Sequence, residues 1–190
     1  MTLELAREIW TARQRKRCPV EQPVSEWTGD FTLPPALGEY YKLVGPDELH
    51  CYDVTGLTLY LPSLRRLEGF QSGIFPPSTD SHTVRSWGPE RLAVALHHTY
   101  PFIFESQAGT VSLHAPGSIR DAGWQPVATL DSLADMMIFF GLLDQAISEV
   151  DPYDEELDDQ SPDFIPHLVE TTSSKINPEV ATTLVETMFA

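Results

Sequence analysis

Apolar positions recur along this chain in two rhythms, and the change from one to the other marks out its elements. The first stretch has helical spacing: Leu5, Ile9 and Ala12 share a face with Trp10 beside them, Thr2 stands where an N-cap would, and Glu4 and Glu8 suit the positive end of a helix. Arg13, Arg15, Lys16 and Arg17 crowd its last turn, where cations are favoured, and Pro19 stops it, so a helix is expected over residues 2–17 with a solvated basic end. Residues 19–30 hold two prolines and a glycine and read as a connector. A second helix is led by Pro34 and Pro35, with Thr32 as its cap, Leu37, Tyr40 and Tyr41 as its apolar side and Gly45 as its closing glycine.

The rhythm then shortens. Residues 49–61 alternate and are rich in strand formers, which predicts a hairpin or two short strands. Ser63 opens a short helical turn that Gly69 ends, and residues 71–86 carry too many breakers for anything but a loop. Strands are expected at 91–98, 101–105, 109–114 and 124–130, with Gln107, Ala108 and Gly109 forming a tight turn. Short links between successive strands make them antiparallel neighbours. Asp131 or Ser132 caps a helix ending near Ile147, with Leu133, Met136, Met137, Phe140, Leu143 and Ile147 as its buried stripe, which is read as core rather than as a ligand groove. From Glu149 onward, like charges and prolines disfavour packing, until Asn177 and Pro178 start a last helix over 178–189 whose apolar face is Val180, Leu184, Val185 and Met188. The tail is therefore expected to be a strap whose final helix docks on the domain. The pattern predicts an α+β fold, with one domain over 1–148 and an acidic tail over 149–190.

Charge sharpens this division. The 190 residues carry a formal net charge of −16, of which −10 falls in residues 149–190, where eleven acidic residues face a single lysine, Lys175. Such a charge repels nucleic acid and anionic lipid and attracts basic proteins, so a protein partner is expected, with no direct nucleic acid and no membrane. Cys18 and Cys51 are too few for a disulfide framework and read as reduced thiols. The charged first residues do not resemble a signal peptide, and no run of 18 apolar residues occurs, so a cytoplasmic protein is expected.

Chemistry is sparse. His97 and His98 are adjacent on an expected strand and would point to opposite faces, which is poor geometry for one metal. No Cys-x-x-Cys, His-Glu-x-x-His, calcium-loop or phosphate-loop pattern is present, so no metal and no cofactor is expected. Cys51 beside His50 is adjacency in sequence rather than a dyad, and Cys18 sits near basic residues but at the wrong end of a helix for a lowered pKa. Carboxylates cluster only in the tail. An enzyme would have to draw on His82, His97, His98 and Glu105, and a non-enzymatic role is the stronger expectation.

The order of features has a counterpart. Leu33-Pro34 with Tyr40-Tyr41, Leu61 with Ser63-Leu64, Trp87, Leu92 to Leu96 with Pro101 to Glu105, and Val127-Ala128 with Leu130 to Phe139 follow one another as corresponding positions do in the SUKH superfamily. The chain resembles that superfamily over residues 33–143, a span that includes neither end. It departs from the pattern at His98-Thr99, where a glycine-and-polar turn is usual, and at Val44-Gly45, where asparagine-glycine is common. The resemblance implies a twisted, mainly antiparallel sheet flanked by helices. It also implies a binding role, since bacterial members are typically immunity proteins that neutralise toxins, often nucleases, while fungal members are regulators. An immunity protein holding a basic toxin domain is the leading expectation, and an intracellular regulatory scaffold the alternative. The expected contact residues are Asp151, Tyr153, Asp154, Glu155, Glu156, Asp158 and Asp159.

Overall fold

The computed structural model describes residues 1–52, 58–74, 90–116, 124–150, 153–154 and 159–189. In chain order these form α1 (Leu3–Arg13), α2 (Pro35–Leu43), β1 (Leu49–Tyr52), β2 (Thr58–Leu61), α3 (Leu67–Ile74), β3 (Arg91–His97), β4 (Tyr100–Glu105), β5 (Val111–Pro116), β6 (Trp124–Leu130), α4 (Leu133–Glu149), β7 (Tyr153–Asp154), β8 (Asp159–Gln160), α5 (Phe164–Ser173) and α6 (Pro178–Phe189). Strands β1 to β6 make one sheet in sequence order, and each pairs antiparallel with the next. The protein is thus α+β, an antiparallel meander flanked by helices.

Local chemistry places the turns. His97 faces Tyr100 across a two-residue link, which puts His98 at a φ of 53°, the left-handed conformation that such hairpin turns require. Gly109, at φ 75°, closes the β4–β5 turn by donating its N–H to the Glu105 carbonyl at 2.7 Å. Bulges interrupt β3 between Ala93 and Ala95 and the β5–β6 ladder beside Leu113 and His114. At the first bulge the Gln71 side-chain amide replaces a strand, donating to the Ala93 carbonyl at 2.9 Å and accepting from its N–H at 2.8 Å. One amide group thereby satisfies both ladder groups of a residue that, among the described residues, pairs with no strand on that side.

The core lies on one face of the sheet. Phe102, Phe104, Val111 and Leu113 project from it onto α4, where Phe102 and Phe140 meet edge to face at 4.9 Å. Every residue from Leu133 to Asp144 is buried, so α4 is enclosed on all sides; the single stripe expected for it is too narrow. Ser132 is its N-cap, accepting from the Asp135 N–H at 3.1 Å. Helix α1 runs along α4 and inserts Trp10, whose Nε1 donates to the Met137 carbonyl at 2.8 Å. Gly141 allows this approach: a Cβ there would lie 2.6 Å from Ile9 Cγ2.

Several boundaries depart from expectation. Helix α1 ends at Arg13, where Gln14 turns left-handed, and its buried residues are Ala6 and Trp10, while Ala12 is exposed. Pro34, not Thr32, precedes α2, and no side chain caps it. Gly45 matters for space rather than conformation, because a Cβ would meet the carbonyl oxygens of Tyr41 and Val20. Gly69 lies inside α3, which includes residues 71–74, and residues 75–86 of the expected loop lie outside the described residues. The tail departs most. Helix α5, unforeseen, buries Phe164, Leu168 and Thr172, and α6 buries Ala181, Leu184, Val185, Met188 and Phe189; their apolar members join the same core as the sheet.

Candidate functional site: an acidic strap and a basic collar

Helices α4 and α5 pack against each other, and the acidic run 149–163 joins them. Its base is held by Glu149, whose carboxylate lies 3.2 Å from His167 Nε2 and accepts from Gln145 Nε2 at 2.9 Å. The Gln145 hydrogen bond is the main reason that the Glu149 carboxyl is held below its ordinary value. Beyond it, β7 and β8 form a two-stranded ribbon in which Tyr153 stands opposite Gln160 and Asp154 opposite Asp159. Of the expected contact residues, Tyr153, Asp154 and Asp159 are therefore brought together by backbone register, while Asp151, Glu155, Glu156 and Asp158 lie outside the described residues. Like charges directly opposite on paired strands are unfavourable. Asp154 and Asp159 occupy such a position.

The basic end of α1 lies beside the same end of α4. Arg13 Nε donates to Asp144 Oδ2 at 2.9 Å and its Nη2 to Ser148 Oγ at 2.8 Å; Arg15 Nε donates to the same Asp144 oxygen at 3.2 Å. Asp144 is 7% exposed, so two guanidinium groups neutralise one buried carboxylate. The expectation of a merely solvated helix end is corrected here: these arginines bind α1 to α4. Arg15, Lys16, Arg17, Glu48 and Leu49 line an open groove of about 460 Å³ on the outer side of this collar. Asp144 was visible in the sequence as a polar residue inside an otherwise apolar helical run, and so was Asp135.

The histidines do not assemble. His97 is 2% exposed and faces the core beside the Phe189 ring at 5.6 Å, whereas Glu105 pairs with Arg91 at the other end of the β3–β4 hairpin. His98 is an exposed turn residue, and His82 lies outside the described residues. Burial first, and the neighbouring His98 second, lower the His97 pKa to about 4. Cys18 is buried and its Sγ lies 3.5 Å from the Val44 carbonyl, a packing role. Cys51 belongs to β1. Among the described residues no three His, Cys, Asp or Glu side chains gather as a metal site would require, and no helix is long and apolar enough to cross a membrane.

Compared with protein-family models, curated proteins and solved structures, the chain matches none.

Proposed function

We propose that the protein is a non-enzymatic binding protein of the immunity type, holding a basic toxin domain, such as a nuclease, against its acidic strap. The observation that carries this reading is the register of the ribbon, with Asp154 opposite Asp159 in the most acidic part of the chain. A cationic partner is the kind of group that two carboxylate-bearing residues at paired backbone positions would favour. Two further features support it. The strap joins two helices of the core, α4 and α5, so its ends are held at a fixed separation. A nuclease domain also needs a cationic surface for phosphate, which a protein of net charge −16 is suited to cover. The resemblance to the SUKH superfamily points the same way.

The test replaces Asp151, Asp154, Glu155, Glu156, Asp158 and Asp159 by their amides and follows, by stopped flow, association with the polypeptide that co-purifies with the native chain. The native chain should associate faster as salt is lowered, toward about 10⁸ M⁻¹s⁻¹, and the variant should be slower and nearly indifferent to salt. Equal rates and equal salt slopes would remove the strap from the interface.

A further inference from the structure

Strand β1 is one edge of the six-stranded sheet, with β2 on its inner side and no strand on its outer side among the described residues. An open edge leaves alternate backbone N–H and C=O groups without ladder partners, and another extended chain is the group that fits them. The approach to this edge is already used in that way. Residues 17–22 run antiparallel to residues 41–47, with the Asp47 N–H donating to the Arg17 carbonyl at 2.8 Å and the Val20 N–H to the Gly45 carbonyl at 3.0 Å. That pairing stops at Arg17. Glu48, left-handed at φ 53°, turns one chain into β1; the other turns toward α1, where the Cys18 N–H reaches back to the Arg15 carbonyl at 3.3 Å. The groove of about 460 Å³ opens where the two separate, between Arg15, Lys16 and Arg17 on one side and Glu48 and Leu49 on the other.

Charge decides which extended chain fits. The groove and its margin hold Arg13, Arg15, Lys16, Arg17 and Arg66 against Asp47, Glu48, Asp144 and Glu149, a positive balance in a protein whose net charge is −16. Most of these charges are engaged with one another. Asp144 holds Arg13 and Arg15, and Glu48 accepts from Arg66 Nε at 2.8 Å. Lys16 and Arg17 are exposed and have no carboxylate partner among the described residues; Arg17 Nη1 donates to the Asp47 carbonyl at 3.3 Å. The charge of the whole molecule repels an acidic chain from afar. At about 0.15 M salt, however, the screening length is about 8 Å, so the two cations at the groove govern contact. A neighbouring ammonium and guanidinium suit carboxylates, and they disfavour a basic strand at the same edge.

We propose that an acidic peptide segment in extended conformation adds to the outer edge of β1, pairing its backbone with Leu49–Tyr52 and placing carboxylates on Lys16 and Arg17. The site is separate from the acidic strap and stands whether or not the strap holds a toxin. The test titrates the full-length protein with a blocked octapeptide of Glu-Val repeats at about 0.15 M salt and follows backbone amide shifts by NMR. Two further octapeptides separate the contributions. Glu-Pro repeats keep the charge but lack the N–H at every second residue, and Lys-Val repeats keep the strand-forming valines with the charge reversed. Saturable shifts at residues 15–17 and 47–52 are expected with Glu-Val repeats and not with the other two. Lys16→Glu should weaken this binding about threefold or more, because it removes an attraction and adds a repulsion. Lys175→Glu, an equal change in net charge at another exposed position, should leave it unaltered. Neither lysine side chain has an ion-pair partner among the described residues, so both variants should stay folded, which their amide spectra report directly. An equal response to Glu-Pro repeats overturns strand addition, since charge alone would then suffice. An equal response to Lys-Val repeats, an equal effect of the two lysine variants, or no saturable response at these residues also overturns the proposal.

Discussion

Two buried polar residues, Asp144 and His97, carry most of what can be tested one side chain at a time. Asp144 is held by Arg13 and Arg15, both of which reach solvent, so losing its charge strands neither cation completely. Asp144→Asn should therefore destabilise the protein by about 1–2 kcal/mol in chemical denaturation, less than the loss of a fully buried partner. No change would mean that the collar contributes nothing to the α1–α4 contact. His97 predicts a pH dependence. Its folded pKa of about 4 lies below the ordinary 6.5, so between those values the unfolded chain binds more protons than the folded one. Stability should then fall as pH drops from 6.5 to 4, by on the order of 1–3 kcal/mol from this residue. His114, also lowered to about 4 mainly by burial, adds to the same trend. His97→Leu should flatten the slope measured by denaturation between those pH values, and an unchanged slope would place its origin elsewhere. The sequence marked His97 as a strand residue, but which strand face meets the core depends on the bulge at Ala93, and that is a property of the folded pairing.

The elements with a strong period were legible; those whose limits depend on neighbours were not. Strands β3 to β6 fall within two residues of the boundaries expected from short apolar runs set off by turn residues, and β3 and β4 are buried over four successive positions, as such runs imply. Helix α5 was hidden by its setting. The acidic, proline-rich run before it and Pro166 in its first turn argue against packing, yet a proline in a first turn lacks only an N–H that no helical bond would use. Phe164 and Leu168, four residues apart, were the available signal. Gly69 and Gly141 were equally opaque: one lies within a helix without evident cause, the other admits a neighbouring helix. Gly141→Ala tests that contact. Helix propensity alone would favour alanine by about 1 kcal/mol, but the 2.6 Å approach to Ile9 should make the variant less stable by about 1–3 kcal/mol. Adding Ile9→Ala should recover part of the clash, so the pair should cost less than the sum of the single changes; strict additivity would contradict the close approach.

At the scale of the whole molecule, apolar material and charge are arranged differently. Buried residues from α1 to α6 form one core, which includes the helices that follow the strap. Charge divides the chain instead, with most of the excess after Glu149. This division was readable from composition, and the register that sets Asp154 against Asp159 was not, since a ribbon of two-residue strands leaves no periodic trace. A core that closes around the strap's two anchors and a strap that concentrates negative charge are the two features on which the proposed cationic partner rests. The most direct measurement is a paired co-purification at low salt from the native cell extract, using the tagged chain and its six-amide variant, with mass spectrometry of what each retains. A single basic polypeptide at near-equal stoichiometry on the native chain, released by salt and lost from the variant, is the predicted result. The same proteins on both chains, or nothing on either, would contradict the account.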